Sequence, residues 1–215
     1  MIKAILFDFW GTLVEHGVYP SPFKQVRHLL RIRMPFSEFV PRFEKAFMLN
    51  KYDSLYDGFR EVAKEFRVNP PDFVYDKLVG VWNKNKILAK PYPETMDALA
   101  ELKKKYQLAL VSNTDCFSVN EIIDKYDFRK FFNVIHLSYE TGLLKTDREM
   151  FRNVLKKMRV KKDEAVMVGD SMESDIIGAE SAGLKAVLVD RKDRREYPNK
   201  AGSLEELKDM LPNLK

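Results

Sequence analysis

Four short polar segments, each at the end of an apolar run, contain side chains that could catalyse a group transfer. They are ILFDFWGTL (Ile5 to Leu13), LALVSNT (Leu108 to Thr114), GLLKTDREMF (with Lys145) and AVMVGDSMESD (Ala165 to Asp175). Three of the apolar runs are typical of buried parallel strands, whose polar ends meet at one edge of a sheet. Open α/β sheets place their active sites at that edge. An Asp, a Ser, a Lys and an acidic pair in this order therefore indicate an active site.

Asp8 comes directly after the first apolar run and is followed by Gly11 and Thr12. A carboxylate at the end of a buried strand can act as a nucleophile and form a covalent intermediate. Backbone N–H groups of the turn that follows could bind an anion beside it. An Asp at such a position can also simply cap a turn, so Asp8 alone leaves both interpretations open.

Two further acids, Asp170 and Asp175, follow the run Ala165–Val168, and Gly169 allows a tight turn there. Carboxylates gathered with Asp8 at one sheet edge would repel one another unless a cation lay among them. Oxygen ligands without nitrogen or sulfur are typical of Mg²⁺. The pattern therefore predicts a Mg²⁺ site, although Asp175 could also cap the helix that it begins.

Ser112 and Lys145 complete the set. The Ser112 hydroxyl, at the end of a strand, could donate to a phosphoryl oxygen. Lys145 follows the loop 142–144, which we expect to open onto the same edge, and it could neutralise both the nucleophile and the transferring group. We expect Asn113 to lie nearby in a loop that faces the substrate.

The other titratable residues do not form a second type of site. His16, His28 and His136 share no metal-ligand spacing with one another or with Cys116, so zinc is not expected. The spacing of the serines, histidines and acids does not indicate a Ser–His–Asp set. The candidate chemistry therefore rests on carboxylates, a hydroxyl and a lysine.

The composition is that of a globular protein, with 45% hydrophobic and 32% charged residues. No stretch approaches ~18 uncharged apolar residues, so we expect neither a membrane span nor a signal peptide. The single cysteine fits a reducing cytoplasm. The net charge is +5, but the basic residues are interleaved with 32 acids and no nucleic-acid motif accompanies them. We therefore expect no nucleic-acid partner, although a mildly positive field would favour a small anionic substrate.

The periodicity predicts an α/β protein with a doubly wound parallel sheet, because strands alternate with helices. The predicted strands are 2–8, 107–111, 133–137, 165–168 and 185–189, and the predicted helices are 94–105, 117–126, 147–158, 174–182 and 203–211. Ser203, followed three residues later by Glu206, predicts a capping box at the last helix.

Between about Pro20 and Lys90 the apolar residues recur at helical spacing, and breakers divide the region into about four helices. Pro41 is unfavourable inside the second of these, so we expect a late start or a kink there. We interpret the region as a helical insertion whose aromatic residues form its own core. These aromatic residues are Phe36, Phe39, Phe43, Phe47, Phe59 and Phe66.

The motifs DFWGTL, VSNT, Lys145 in GLLKTDREMF, and GDSMESD together resemble the haloacid dehalogenase-like (HAD) hydrolase superfamily over essentially the whole chain. The resemblance implies a Rossmann-like core domain formed by residues 1–15 and 91–215. It also implies that residues 16–90 form a mobile α-helical cap domain.

For the site, the resemblance implies that Asp8 is the nucleophile and that Ser112 and Lys145 hold the phosphoryl group. It further implies that Mg²⁺ is bound by Asp8, by the backbone carbonyl of Trp10 and by the acids of the fourth motif. Those acids are Asp170 and Asp175.

Trp10 departs from the phosphatases of this family, which generally have a second Asp there to protonate the leaving oxygen and later activate water. Indole can do neither, because its N–H is only a donor. The family's dehalogenases also lack that Asp, work without a metal and usually lack the first acid of the fourth motif. Here both acids of that motif are present, and phosphoryl transfer, unlike halide displacement, needs Mg²⁺.

The sequence therefore favours a Mg²⁺-dependent phosphatase that acts on a small phosphorylated metabolite through an aspartyl-phosphate at Asp8. The residues expected to bind the substrate are Trp10, Gly11, Thr12 and Asn113. Glu15, His16 or Asp115 could supply the missing proton.

Two alternatives stay open at this point. One is a 2-haloacid dehalogenase that uses Asp8 without metal on a halogenated substrate, with Trp10 lining a halide pocket. The other is a non-catalytic phosphate-binding regulator that keeps the metal site.

Overall fold

A parallel six-stranded sheet forms the centre of the computed structural model, which describes residues 1–214. The strands in chain order are β1 (Ala4–Phe7), β2 (Val14–Glu15), β3 (Lys90–Pro91), β4 (Gln107–Ser112), β5 (Val134–Leu137), β6 (Ala165–Gly169), β7 (Lys185–Val189) and β8 (Lys200–Ala201). Their order in the large sheet is β5-β4-β1-β6-β7-β8. The chain thus builds outwards from β1 in one direction and then in the other, which is the doubly wound arrangement.

The helices cover both faces of this sheet and form one additional layer. They are α1 (Pro22–Leu29), α2 (Phe36–Phe47), α3 (Leu55–Glu65), α4 (Asp72–Leu88), α5 (Thr95–Lys103), α6 (Val119–Lys125), α7 (Ser138–Thr141), α8 (Arg148–Met158), α9 (Gly178–Ser181) and α10 (Leu207–Met210). A π-helical turn, Met172–Ile177, precedes α9, and 3₁₀ turns occupy Phe128–Phe131, Lys162–Glu164, Leu204–Glu206 and Leu211–Asn213.

Alternate residues of each strand are buried on opposite faces of the sheet, as the two-residue repeat of a strand requires. On one face Ile5 and Phe7 pack in a cluster with residues of α5, α6 and α10. On the other face Ala4 and Leu6 pack with residues of α8 and α9. Because both faces are covered, β1 is apolar throughout, and its first polar residue is Asp8, where the strand ends.

Helices α1–α4, here called the helical insertion (Pro22–Leu88), lie between β2 and β3 in the chain. Strands β2 and β3 pair antiparallel, so the two ends of the insertion leave the core side by side. Its buried residues form a separate cluster rich in aromatic rings, among them Phe43, Phe47 and Trp82. The predicted fold class, a doubly wound parallel sheet with an inserted helical bundle, is confirmed. The division into domains 1–15/91–215 and 16–90 stays a prediction.

Helix α2 begins at Phe36 and contains Pro41, so of the two outcomes expected there the late start is excluded and the kink stays a prediction. The capping box predicted at Ser203 is wrong. Ser203 makes no side-chain cap bond, and Glu206 instead accepts from the N–H of Gly202 at 3.1 Å. The single helix predicted over 203–211 is accordingly two 3₁₀ turns around a four-residue α10.

The strands that the sequence pattern did not predict are β2, β3 and β8. Each has only two residues, which is too short for an alternating or continuous apolar pattern to develop. As for membranes, no helix within residues 1–214 has both the length and the apolarity that crossing a bilayer demands.

Candidate active site

Asp8 lies where three strands of the sheet end together. The register places Phe7 opposite Leu110 of β4 and Val168 of β6. The N–H of Asp8 continues the ladder with a bond to the carbonyl of Val168 at 2.9 Å. Its carboxylate accepts a hydrogen bond from the Thr12 hydroxyl at Oδ2, at 3.2 Å. Asp8 is therefore a buried carboxylate held in a fixed position at the carboxyl edge of the sheet.

Lys145 joins the carboxylate after β1 to the carboxylate that follows β6. Its Nζ lies 2.5 Å from Oδ1 of Asp8 and 2.5 Å from Oδ1 of Asp175. The backbone N–H of Lys145 donates to Oδ1 of Asn113 at 2.9 Å. A side chain at Gly178 would collide with the carbonyl of Lys145, so the small residue there allows this close approach. The segments after β1 and β6 thus meet at one ammonium group, and the segment after β4 holds the backbone of the same lysine.

The charges in this cluster outweigh the effect of burial on the lysine. Burial alone would lower the pKa of Lys145, but the negative charges of Asp175 and Asp8 raise it above its ordinary value. Burial raises the pKa of Asp175, and the positive charge of Lys145 opposes that shift. The lysine is therefore a permanent cation beside Asp8.

Asp175 is held from two sides. Its Oδ2 accepts the N–H of Ser171 at 2.9 Å, while Oδ1 receives Lys145. A side chain at Gly169 would overlap the Asp175 carboxylate, which explains the glycine at the end of β6. The turn from β6 into the π-helical segment therefore presents Asp175 to Lys145, and π-helical turns frequently occur at functional sites.

Asp170 has the least protein support of the three acids. No hydrogen bond to its carboxylate forms within residues 1–214, in contrast to Asp8 and Asp175. Its carboxylate lies so close to Gly11 that a Cβ there would meet Oδ2 at 2.5 Å, and Gly11 also has a positive φ of 81°. Burial and the charges of Asp8 and Asp175 raise the pKa of Asp170 well above its ordinary value.

The three carboxylates could hold a divalent cation. One oxygen from each of Asp8, Asp170 and Asp175 lies within 4.8 Å of the others. All these donors are hard oxygen atoms, which Mg²⁺ prefers, and a cation among them would relieve their repulsion. The donor set therefore fits Mg²⁺, and a contribution from the Trp10 carbonyl stays a prediction.

Ser112 lies at the end of β4 and is almost completely buried, with 1% of its surface exposed. Its hydroxyl has no hydrogen-bond partner within residues 1–214. Buried hydroxyl groups are normally paired, so an unpaired one at this edge is available to a ligand. By contrast, the N–H of Gly11 is already bonded to the carbonyl of Val14 at 2.7 Å.

Trp10 lies beside the carboxylates, with its ring turned away from hydrogen bonding to them. Its Nε1 donates to the Thr114 hydroxyl at 3.2 Å. Its ring stacks parallel to that of His16, with centroids 5.8 Å apart. The indole thus forms an aromatic wall at the position where the sequence lacks an acid.

A cavity of about 500 Å³ opens between the sheet edge and the helical insertion. From the core it is lined by Asp8, Trp10, His16, Asn113, Lys145, Asp170, Ser171, Met172, Glu173, Ser174, Asp175 and Arg195. From the insertion it is lined by Phe23, Lys24, Phe36, Val40 and Glu44, and Ser21, directly before the insertion, also lines it. This volume is of the size of small-molecule sites. The predicted residues that line the cavity are Asp8, Trp10, His16, Asn113, Lys145, Asp170 and Asp175, whereas Gly11, Thr12 and Ser112 do not line it.

Glu44 was not predicted. It lies in α2 with 6% of its surface exposed, and its Oε2 accepts from Asn113 Nδ2 at 2.8 Å and from Ser174 Oγ at 3.0 Å. The helical spacing around it signalled only a buried face. A charged residue on such a face was the available sign, because carboxylates are rarely buried without a partner.

The three residues proposed to replace the missing proton donor lie in different surroundings. Glu15 pairs with Lys90 at 3.1 Å and is partly exposed. Asp115 accepts from Trp82 Nε1 at 3.0 Å and caps the turn that follows it. Only His16 lines the cavity. Burial lowers the pKa of His16 to about 4, opposed by a hydrogen bond with Asn85.

Comparison with known proteins places these features in one family. The chain matches a family model described as haloacid dehalogenase-like hydrolase over residues 2–183, a range that contains all four motif segments. It is 27% identical over 199 residues to the glyceraldehyde 3-phosphate phosphatase of Methanothermobacter thermautotrophicus. That alignment covers 88% of this chain and 86% of the relative.

Two solved structures cover nearly the whole chain. A HAD phosphatase from Thermococcus onnurineus aligns with a TM-score of 0.64 and 26% identity, covering 98% of each chain. A 2-haloacid dehalogenase from Pseudomonas syringae aligns with a TM-score of 0.66 and 19% identity, covering 100% of each chain. At 19% identity the second likeness concerns the fold alone.

Proposed function

The chain belongs to the haloacid dehalogenase-like hydrolase family, and from this premise we propose that it is a Mg²⁺-dependent phosphatase with Asp8 as its nucleophile. The observation that carries the proposal is the cluster of Asp8, Asp170 and Asp175, whose oxygens lie within 4.8 Å of one another, together with the ammonium of Lys145, which contacts Asp8 and Asp175. The carboxylates of such a cluster attract a divalent cation, and this cation and the ammonium group together offset the negative charge of a phosphoryl group.

In the first step an oxygen of Asp8 attacks phosphorus and the bond from phosphorus to the leaving oxygen breaks, which gives an aspartyl-phosphate. Lys145 holds Asp8 in place and offsets negative charge on the transferring group. Ser112 donates its unpaired hydroxyl to a phosphoryl oxygen. Water then attacks phosphorus and releases phosphate and free Asp8. Asp8, Asp170 and Asp175 would hold Mg²⁺, which would neutralise charge on the phosphoryl oxygens.

A small phosphorylated metabolite is the proposed substrate. The relative from Methanothermobacter thermautotrophicus is named for glyceraldehyde 3-phosphate, and a relative from Thermus thermophilus, 36% identical over 114 residues, is named for phosphoserine. The cavity of about 500 Å³ supports a substrate in this size class. Closure of the helical insertion over the substrate would exclude water during transfer.

The test is hydrolysis of p-nitrophenyl phosphate and a panel of small phosphate monoesters, with Mg²⁺ and with EDTA. We expect Mg²⁺-dependent release of phosphate that Asp8→Asn abolishes, because an amide cannot form the covalent intermediate. Asp163→Asn is the matched control, since Asp163 is exposed and lies outside the cavity. Equal turnover by the wild type and Asp8→Asn would overturn the proposal.

A 2-haloacid dehalogenase is the second candidate, and the absence of an acid at Trp10 favours it. In that reaction Asp8 displaces a halide and no leaving oxygen needs a proton. Release of halide from chloroacetate in EDTA, without activity toward any phosphate ester, would support it over the phosphatase. Tight Mg²⁺ and phosphate binding without turnover above Asp8→Asn would instead support a regulatory protein.

A further inference from the structure

One buried acid of the cavity belongs to the helical insertion and has no role in the steps given above. Oε2 of Glu44 accepts hydrogen bonds from two core side chains, Asn113 at 2.8 Å and Ser174 at 3.0 Å. Its other oxygen, Oε1, makes no hydrogen bond within residues 1–214, and the Glu44 side chain lines the cavity that contains Asp8. Because both donors occupy Oε2, an exchangeable proton on this carboxyl belongs on Oε1.

The site needs such a proton. Trp10 cannot exchange one, because an indole N–H is only a donor. His16, whose ring stacks on that of Trp10, is titratable. With its pKa lowered to about 4 it is neutral near pH 7 and has no extra proton to give. Glu15 and Asp115 do not line the cavity.

We propose that Glu44 is the general acid–base of the reaction, an inference that rests on the proposed phosphatase function. Oε1 of Glu44 gives its proton to the leaving oxygen as the bond to phosphorus breaks and the bond from Asp8 forms. The resulting carboxylate then takes a proton from the water that attacks the aspartyl-phosphate. Each turnover returns Glu44 to its protonated form, so no further reactant is needed.

The position of Glu44 suits this role. Asn113 contacts both Glu44, through Nδ2, and the backbone of Lys145, through Oδ1. One amide side chain therefore sets the spacing between the insertion and the lysine that holds Asp8. A substrate whose phosphorus faces Asp8 directs its leaving oxygen away from the nucleophile, since attack and departure are in line. Among the residues of the insertion that line the cavity, Glu44 is the only acid within residues 1–214.

The protonation of Glu44 also suits the role of a general acid–base. Burial raises the pKa of Glu44 to about 7, although the charge of Lys145 and the bonds from Asn113 and Ser174 oppose the shift. General acids work best with a pKa near the operating pH. The charged or titratable groups around Glu44 in the cavity are Lys145, Asp175, Asp8, Asp170, Glu173, Arg195, Lys24 and His16.

The decisive experiment compares leaving groups in Glu44→Gln. The amide oxygen of Gln can still accept from Asn113 and Ser174, so the contact between insertion and core is kept while the proton is lost. We expect kcat/KM for the best alkyl phosphate of the panel to fall by ~10²–10⁴-fold. For p-nitrophenyl phosphate, whose leaving group needs no proton, we expect a fall of less than about 10-fold.

The pH dependence gives a second readout. For the wild type, kcat/KM with the alkyl phosphate should fall above about pH 7, as Glu44 loses its proton. This fall should be absent in Glu44→Gln. The matched control is Glu38→Gln, an exposed acid in the first turn of the same helix, which should leave both substrates and the pH profile unchanged.

Several results would overturn the inference. Equal losses on both substrates would make Glu44 a positioning residue, and no loss on either would leave it outside the reaction. A wild type that hydrolyses p-nitrophenyl phosphate but no alkyl phosphate would also contradict it. Failure of the proposed function looks different: the wild type would equal Asp8→Asn on every substrate, which would overturn both.

Discussion

The sheet edge and the helical insertion bury carboxyl groups in opposite ways. At the sheet edge, Asp8 and Asp175 share the ammonium of Lys145 at 2.5 Å each. In the insertion, Glu44 is equally buried but is held by neutral donors, Asn113 and Ser174. A cation within contact distance favours the ionised form of an acid, whereas burial among neutral groups favours the protonated form.

This difference separates the two tasks that a phosphoryl-transfer site must perform. A nucleophile has to remain ionised, so it belongs beside a permanent cation such as Lys145. A general acid has to carry a proton near neutral pH, so it belongs where burial raises its pKa, as for Glu44. The two acids belong to different parts of the chain, and the charge of Lys145 acts on both of them.

The largest expected effect concerns Asp170, the acid at the sheet edge whose carboxylate accepts no hydrogen bond within residues 1–214. In Asp170→Asn we expect phosphatase activity to fall at least about 100-fold, because a metal ligand is lost. Without metal, the variant should unfold at a higher temperature than the wild type, since repulsion from Asp8 and Asp175 is relieved. A phosphate-release assay measures the loss of activity, and thermal unfolding with and without Mg²⁺ measures the change in stability.

With saturating Mg²⁺ the wild type should instead unfold at a higher temperature than Asp170→Asn. The wild type gains about 2.7 kcal/mol of stability at 100 times its Kd, while Asp170→Asn gains little. Asp163→Asn, at an exposed position, should behave as the wild type under both conditions. An undiminished Mg²⁺ response in Asp170→Asn would show that the cation does not bind at this cluster.

The next prediction concerns the protonation of Glu44 and its effect on the free energy of unfolding. Its pKa is raised from 4.5 to about 7 in the folded protein, so the unfolded chain ionises first as the pH rises. Between these two values the folded state binds more protons, and the free energy of unfolding falls with increasing pH. The expected loss attributable to Glu44 between pH 4.5 and pH 8 is about 3 kcal/mol.

Urea unfolding at several pH values measures this loss. In Glu44→Gln the position carries no proton to lose, so the decline should be smaller than in the wild type by about that amount. Glu38→Gln should show the full wild-type decline, because Glu38 is exposed. Parallel pH profiles for the wild type and Glu44→Gln would mean that Glu44 is ionised in the folded protein.

The same contrast explains which residues the sequence could predict. Asp8, Ser112 and Asp170 each stand at the end of an apolar strand, and parallel strands bring such ends together whatever the loops do. Lys145 was predicted only from its loop and order in the chain. Glu44 was not predicted, because tertiary packing of a helix brings it to the core. Helical spacing alone indicates that a residue is buried, but not which residue it contacts.

For the fold, the apolar runs predicted the long strands and the breakers predicted the four helices of the insertion. The two-residue strands β2, β3 and β8 escaped, because their pairing depends on tertiary contacts. The helix ends were less predictable still. Ser203 has the spacing of a capping box without the bond, whereas Ser54, for which no cap was predicted, caps α3.

Two serines at helix starts, one in each region, give the smallest expected effect. Ser54 accepts from the N–H of Asp57 at 3.2 Å and donates to its carboxylate, which fixes the start of α3 in the insertion. Ser54→Ala should therefore lower the free energy of unfolding by about 1 kcal/mol. Ser203→Ala should change it by less than about 0.5 kcal/mol, because no cap bond is lost. Urea midpoints of the two variants measure the difference. Equal losses would mean that Ser203 does cap its turn, because the chemical change is identical and the hydrogen bonds of the hydroxyl group with Asp57 exist only at Ser54.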